Sequence, residues 1–125
     1  MKNFLSANKY KNRRIKIGGV RFDSLKELRR WNDLCLLEEQ GIISNLKRQV
    51  RYTLIPAQRE TETVTPRGRR KPGKVIEREC FYVADFVYEQ DGQTVVEDTK
   101  GYKTADYVIK RKLMLWVHGI RIREI

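Results

Sequence analysis

The sequence predicts an α/β domain built in the order helix, strand, strand, strand, helix, strand, and three observations carry that expectation. Apolar residues recur at helical spacing over residues 25–40 and again over 104–117. Between them lie runs rich in β-branched and aromatic residues, two of them joined by Asp91-Gly92, the strongest short hairpin signal. The last segment, 119–125, alternates apolar and charged residues from Ile120 to Arg123, the period of a half-buried strand.

In chain order, residues 1–21 are expected to form a flexible or strand-like basic N-terminal arm, with Gly18-Gly19 inside it. Lys2, Lys9, Lys11, Arg13, Arg14, Lys16 and Arg21 stand there without an acid. The domain proper is expected over 22–125. Phe22-Asp23-Ser24 leads into the first helix, where Leu25, Leu28, Trp31, Cys35 and Leu36 share one side, and Gly41 ends it. A strand over 47–55 stops at Pro56. A flexible basic loop follows over 57–74, because two prolines and two glycines within 66–74 disfavour both helix and sheet. The second strand region, 75–88, is strongest over 81–88, and the third spans 94–100, with Gly101 breaking it. The basic helix 104–117 draws apolar surface from Val108, Ile109, Leu113, Leu115 and Trp116, with Leu113 and Trp116 committed to the core.

Composition bounds the function. A chain of 125 residues holds one domain, and its 40% apolar and 10% aromatic content excludes wholesale disorder. Lys and Arg total 27 against 16 acids, a net charge of +11, which points to a polyanion. No apolar run approaches the roughly 18 residues of a membrane span, and no signal peptide is apparent. Cys35 and Cys80 read as small core hydrophobes in a reducing compartment, and the lone His118 excludes His-rich metal sites. A cytoplasmic protein is expected, in the host cytoplasm if the chain is phage-encoded.

The chemistry lies in the strands. Asp85 interrupts an apolar strand, and an unpaired buried carboxylate costs several kcal/mol. The next strand reads Val95-Val96-Glu97-Asp98-Thr99-Lys100, so alternation sets Asp98 and Lys100 on one face and Glu97 and Thr99 on the other. Two hairpin-linked strands can thus bring Asp85 and Asp98 together near a lysine. Adjacent carboxylates repel unless a proton or cation separates them, and Mg²⁺ or Mn²⁺ suits such oxygen ligands. The competing reading is a buried ion pair of Asp85 with Lys100 or an arginine. Glu27 likewise has two readings: half of the capping box Ser24-Leu25-Lys26-Glu27, or an acid facing a site beside the sheet.

This arrangement resembles the PD-(D/E)xK nuclease superfamily, whose restriction-endonuclease-like core runs α-β-β-β-α-β around a mixed central sheet. The resemblance covers nearly all of 22–125. Residues 22–27, 54–58, 82–86, 95–101 and 119–121 are similar to a phage and prophage family known as a domain of unknown function. Its nearest functional relatives are phage-type Holliday junction resolvases and transposon end-cleaving endonucleases. The resemblance implies Asp85 and Asp98 as metal ligands, Lys100 as the catalytic lysine and Glu27 as the helix acid completing the site. Gln49 would be an auxiliary polar residue or an ordinary edge-strand amide. Ala84 stands where the motif's proline would be, and Glu97 beside Asp98 leaves the ligand open by one residue, since a β-bulge would exchange their faces.

The implied activity is Mg²⁺-dependent cleavage of branched DNA in phage recombination or replication, by a homodimer that supplies two symmetric cuts. Arg13, Arg14 and Lys16 of the arm would hold phosphates. So would Arg67, Arg69, Arg70, Lys71 and Lys74 of the loop. Lys103, Lys110, Arg111 and Lys112 would flank the site, and Tyr102 or Tyr107 could stack on an unpaired base, though packing suits them better. The alternatives are a non-catalytic nucleic-acid-binding module on the same fold and a basic RNA-binding protein. The latter leaves Asp85 and the Asp98/Lys100 pair unexplained.

Overall fold

A computed structural model describes residues 14–125. Arg13 and the rest of 1–13 lie outside the described residues. Strand structure comes first, the second of the two alternatives for the arm: β1 (Ile15–Ile17) pairs antiparallel with β2 (Val20–Phe22) across Gly18-Gly19, both at positive φ. The arm therefore enters the domain as a short ribbon that delivers Phe22, 2% exposed, to the core.

Helix α1 (Leu25–Glu39) starts at Ser24, whose Oγ accepts the N–H of Glu27. Its inward face is not the apolar stripe expected. Leu25 and Leu36 are exposed, while Glu27 and Leu34 are buried and Arg30, Trp31 and Leu37 half-buried. The helix is rotated because Glu27 and Arg30 have partners inside the molecule, so two charged residues occupy the buried side. Leu34 packs with Ile43, Phe86 and Tyr88, and Trp31 stacks on Phe86 at 6.0 Å.

The central sheet has the order β10-β9-β8-β3. Strand β3 (Ser44–Ile55) pairs antiparallel with β8 (Cys80–Gln90), which pairs antiparallel with β9 (Gln93–Asp98) through the Asp91-Gly92 turn. Both turn residues have positive φ, 52° and 76°, as the twist-matched two-residue hairpin requires. Helix α2 (Ala105–His118), capped by the Thr104 hydroxyl and ended by Gly119 in the left-handed region, crosses over to β10 (Arg123–Glu124), parallel to β9. Only those two residues of the final segment pair; the strand is shorter than 119–125. The molecule is thus a mixed α/β fold with a mixed-orientation sheet, and α1, β3, β8, β9, α2 and β10 follow the expected order.

Two expectations change. Trp116, assigned to the core, is 86% exposed, because the buried face of α2 is carried by Tyr107 and Met114, which pack with Leu54, Tyr82 and Ala84. The segment between β3 and β8 is not irregular. Strands β4 (Gln58–Arg59) and β7 (Val75–Glu77) pair, and beyond them β5 (Thr63–Val64) and β6 (Arg70–Lys71), making one folded-back ribbon. Its prolines stand at the turn and between strands, where no ladder N–H is needed. Both cysteines are free and half-buried. Among the described residues no helix is long and apolar enough to cross a membrane.

Candidate functional site

Where β8 and β9 part and the N-terminus of α1 approaches them, a cleft of about 270 Å³ opens. Its walls include Glu27, Asp85, Asp98, Thr99, Lys100 and Tyr102, so all four proposed catalytic side chains reach one cavity. The register explains this convergence. Phe86 stands opposite Glu97, which sets Asp85 opposite Asp98 on the other face of the pleat.

The same register decides between the two neighbouring acids. No bulge interrupts β8 against β9 from Gln90 to Phe86, so Glu97 points away from the cleft. There it is fully buried and takes a bidentate pair from Arg30, Nε to Oε1 at 2.8 Å and a terminal nitrogen to Oε2 at 2.6 Å. The Tyr88 hydroxyl donates to it as well, and Arg123 lies 4.0 Å away. Glu97 is structural. Asp98 is the cleft acid.

Asp98 is 1% exposed and held by one oxygen. The Tyr82 hydroxyl donates to Oδ2 at 2.6 Å, whereas Oδ1 is buried without a hydrogen-bond partner; Lys100 Nζ is 3.9 Å from it. Burial and the charge of Asp85 push the Asp98 carboxyl up to about 6. Asp85 makes no ion pair among the described residues, which removes the buried-pair alternative. Its Oδ2 instead accepts the backbone N–H and the hydroxyl of Thr99, both at 2.8 Å. One oxygen of each aspartate is therefore tied back, which fixes the carboxyl planes.

Glu27 caps the helix and also lines the cleft. Its N–H caps onto Ser24, and its Oε2 accepts the N–H of Asp23 at 3.2 Å. Its Oε1 accepts from Arg48 at 3.1 Å and from the Gln49 amide at 3.3 Å. Burial first, then the nearby Asp85 charge, raises its pKa. Gln49 is more than an edge-strand amide. It sits at φ +53°, a left-handed conformation costly for a residue with a side chain, and so brings consecutive residues Arg48 and Gln49 onto one acid.

Arg48, Tyr82 and Thr99 hydrogen-bond the cleft acids, contacts that the sequence did not reveal. Arg48 lies 4.2 Å over the Phe22 ring, so aromatic stacking holds it on Glu27. Nothing in the pattern of β3 marks it. Tyr82 and Thr99 had one available signal: Tyr82 stands three residues before Asp85, and Thr99 directly follows Asp98.

Of the expected phosphate-binding cations, Lys103 and Arg111 are engaged by Glu124, at 3.2 Å each, and Lys110 lies 5.7 Å from the Phe81 ring centre. Arg14 and Lys16 flank the entry of the β1–β2 hairpin. Arg67, Arg69, Arg70 and Lys71 lie on the far half of the ribbon, Arg70 with its Nε 3.5 Å from Glu62, and Lys74 stands at the ribbon's waist. Tyr107 is buried, its hydroxyl on Glu124, and so is not a stacking platform; Tyr102 is 62% exposed at the cleft.

Fold and site together define a basic α/β protein with a carboxylate-lined cleft at the split of its central sheet. The chain belongs to the family described as a protein of unknown function (DUF1064), whose model matches residues 7–120. No curated protein and no solved structure matches it.

Proposed function

We propose that the chain is a metal-dependent DNA endonuclease of the PD-(D/E)xK type, acting on branched DNA. The observation that carries this reading is Asp98 Oδ1: a buried carboxylate oxygen with no hydrogen-bond partner, across from Asp85 and 3.9 Å from Lys100 Nζ, opening on a cleft in a +11 protein. A buried acceptor normally finds a donor, so an orphaned one asks for an unbound group. The donor set, carboxylate oxygens only, fits Mg²⁺ or Mn²⁺.

Among the described residues no three acids, histidines or cysteines are gathered into a ready cage. The oxygens of Glu27 are already engaged, which leaves Asp85 and Asp98 as the primary ligands, with substrate phosphate and water completing the shell, as Mg²⁺ sites commonly arrange. Glu27 would join as a third ligand only by releasing Arg48 and Gln49. When bound, the ion supplies charge neutralisation at the scissile phosphate and a more acidic water.

The chain's own residues do the rest. Tyr82 and Thr99 hold the two aspartates in fixed orientation, so no reorganisation is needed as charge develops. Lys100, 41% exposed at the side chain, stands with Nζ 3.9 Å from Asp98 Oδ1, where its ammonium would orient the attacking water and meet the phosphate. Lys26 at the rim and the cations of both arms hold flanking phosphates. One cleft per chain cuts one strand, so a two-fold homodimer is the unit proposed for a Holliday junction in phage recombination or replication. The exposed outer face of α2, with Ile109, Leu115 and Trp116, offers apolar surface for such pairing.

The closed Glu27–Arg48–Gln49 cluster favours one other reading: a non-catalytic module that grips nucleic acid on the same fold. Metal dependence separates the two. Branched, single-stranded and duplex DNA incubated with Mg²⁺, Mn²⁺ or EDTA should show cleavage only with metal and fastest on the branched substrate. Asp85→Ala and Lys100→Ala should each reduce the rate at least a hundredfold while binding persists. Binding without product under every condition would favour the module.

A further inference from the structure

The ribbon over 58–77 contributes nothing to either core: no residue from 55 to 78 is buried. Twenty residues held by four short paired strands without a hydrophobic reason call for another partner. Their charge indicates its sign. Arg59, Arg67, Arg69, Arg70, Lys71 and Lys74 face three acids, Glu60, Glu62 and Glu77, and the stretch 66–74 has no acid at all.

The backbone is built to stay narrow. At the tip the Gly68 N–H returns to the Thr65 carbonyl at 2.8 Å, with Gly68 at φ +80°, and the Arg69 N–H bonds the Thr65 hydroxyl. Between the two paired tiers, Glu60 N–H donates to the Lys74 carbonyl and Arg59 to the Gly73 carbonyl. A side chain at Gly73 would collide with the opposite strand, since a Cβ there would sit 1.9 Å from the Glu60 carbonyl oxygen. Gly73 therefore closes the waist of the ribbon. Nine residues a side reach up to about 30 Å. Two antiparallel strands fit the roughly 12 Å major groove of B-form DNA.

We propose that this ribbon is a groove arm: it lies in the major groove of a DNA duplex beside the cleft, with Arg69, Arg70 and Lys71 on the flanking phosphates. This rests on the nucleic-acid reading of the cleft but not on cleavage. Exposed Val64, just before the tip, gives the arm an apolar contact for base edges. Duplex RNA is the informative comparison, because its A-form major groove is too deep and narrow for such an element.

The test is fluorescence anisotropy of the full-length chain with a 20-base-pair DNA duplex and its RNA counterpart in EDTA, where no cutting interferes. Two variants are compared: Gly73→Ala, which keeps every charge and widens the waist, and the triple variant Arg69→Ala, Arg70→Ala, Lys71→Ala, which keeps the backbone. Both should weaken DNA binding tenfold or more. The triple variant should also lower the salt slope by about three. Gly73→Ala should leave RNA binding unchanged, and an unaltered thermal melt should accompany both. DNA affinity in Gly73→Ala equal to the wild type, or equal losses on DNA and RNA, would overturn the groove arm. Tight DNA binding by the arm with no metal-dependent product would instead count only against the nuclease reading.

Discussion

Asp98→Asn is expected to make the metal-free protein more stable while abolishing metal-dependent cleavage. The fold buries this carboxyl, 1% exposed, beside Asp85 and gives it one donor, so its value rises from the ordinary 3.8 to about 6. A carboxyl raised on folding takes up protons in the folded state between those two values. Wild-type stability should therefore fall as pH rises from about 4 to 6 and stay lowered above. A shift of about two pH units corresponds to about 3 kcal/mol. Asparagine still accepts from Tyr82 and carries no charge, so the variant should escape that penalty. At pH 8 its melting temperature should rise by roughly 5–10 °C, with the difference vanishing near pH 4. An unchanged or lower melting temperature at pH 8 would mean that Asp98 is adequately solvated or paired, and the orphaned oxygen would lose its significance. Such a gain would fit the proposed role of Asp98, since residues that serve function are often kept at a cost in stability.

The adjacent acid should behave in the opposite sense. Arg30→Met removes the bidentate partner of fully buried Glu97 and leaves its charge with only the Tyr88 hydroxyl and a distant Arg123. Stranding a buried charge in this way costs about 3–5 kcal/mol. That is a large part of the stability of a domain of this size. Urea unfolding should show the loss directly. The double variant Arg30→Met, Glu97→Gln should recover a large part of it, because the stranded charge is gone. A single-variant loss under about 1 kcal/mol would show that water reaches Glu97.

Much of this was legible in the sequence because it depends on period and punctuation. Asp91-Gly92 fixed the hairpin, and the hairpin brought Asp85 close to the Glu97-Asp98 pair; which of those two acids faces it stayed open, because only the register shows that no bulge exchanges their faces. Thr104 and Gly119 bounded α2 for equally local reasons. What escaped depended on tertiary partners. The face of α1 was misjudged because hydrophobicity alone cannot foresee that Glu27 and Arg30 find ion pairs inside. Trp116 was misplaced because the apolar residues of α2 stand on more than one side of the helix, Tyr107 and Met114 inward and Ile109, Leu115 and Trp116 outward, so composition does not say which side the sheet covers. The ribbon was taken for an irregular loop because its prolines and glycines were weighed by count. Their positions, at the turn, between strands and at the waist, are compatible with pairing. Arg48 was invisible because only the left-handed twist at Gln49 turns it toward Glu27.

The central claim is that Asp98, positioned by Tyr82 and paired across the strands with Asp85, supports hydrolysis of a DNA phosphodiester. The measurement that bears on it most directly is the cleavage rate of an end-labelled four-way junction, for wild type and Asp98→Asn side by side, in Mn²⁺ and in EDTA. The expected result is product from the wild type in Mn²⁺ alone and none from the variant, which remains folded and still binds the junction. Equal cleavage by the two proteins, or cleavage that persists in EDTA, would contradict the account.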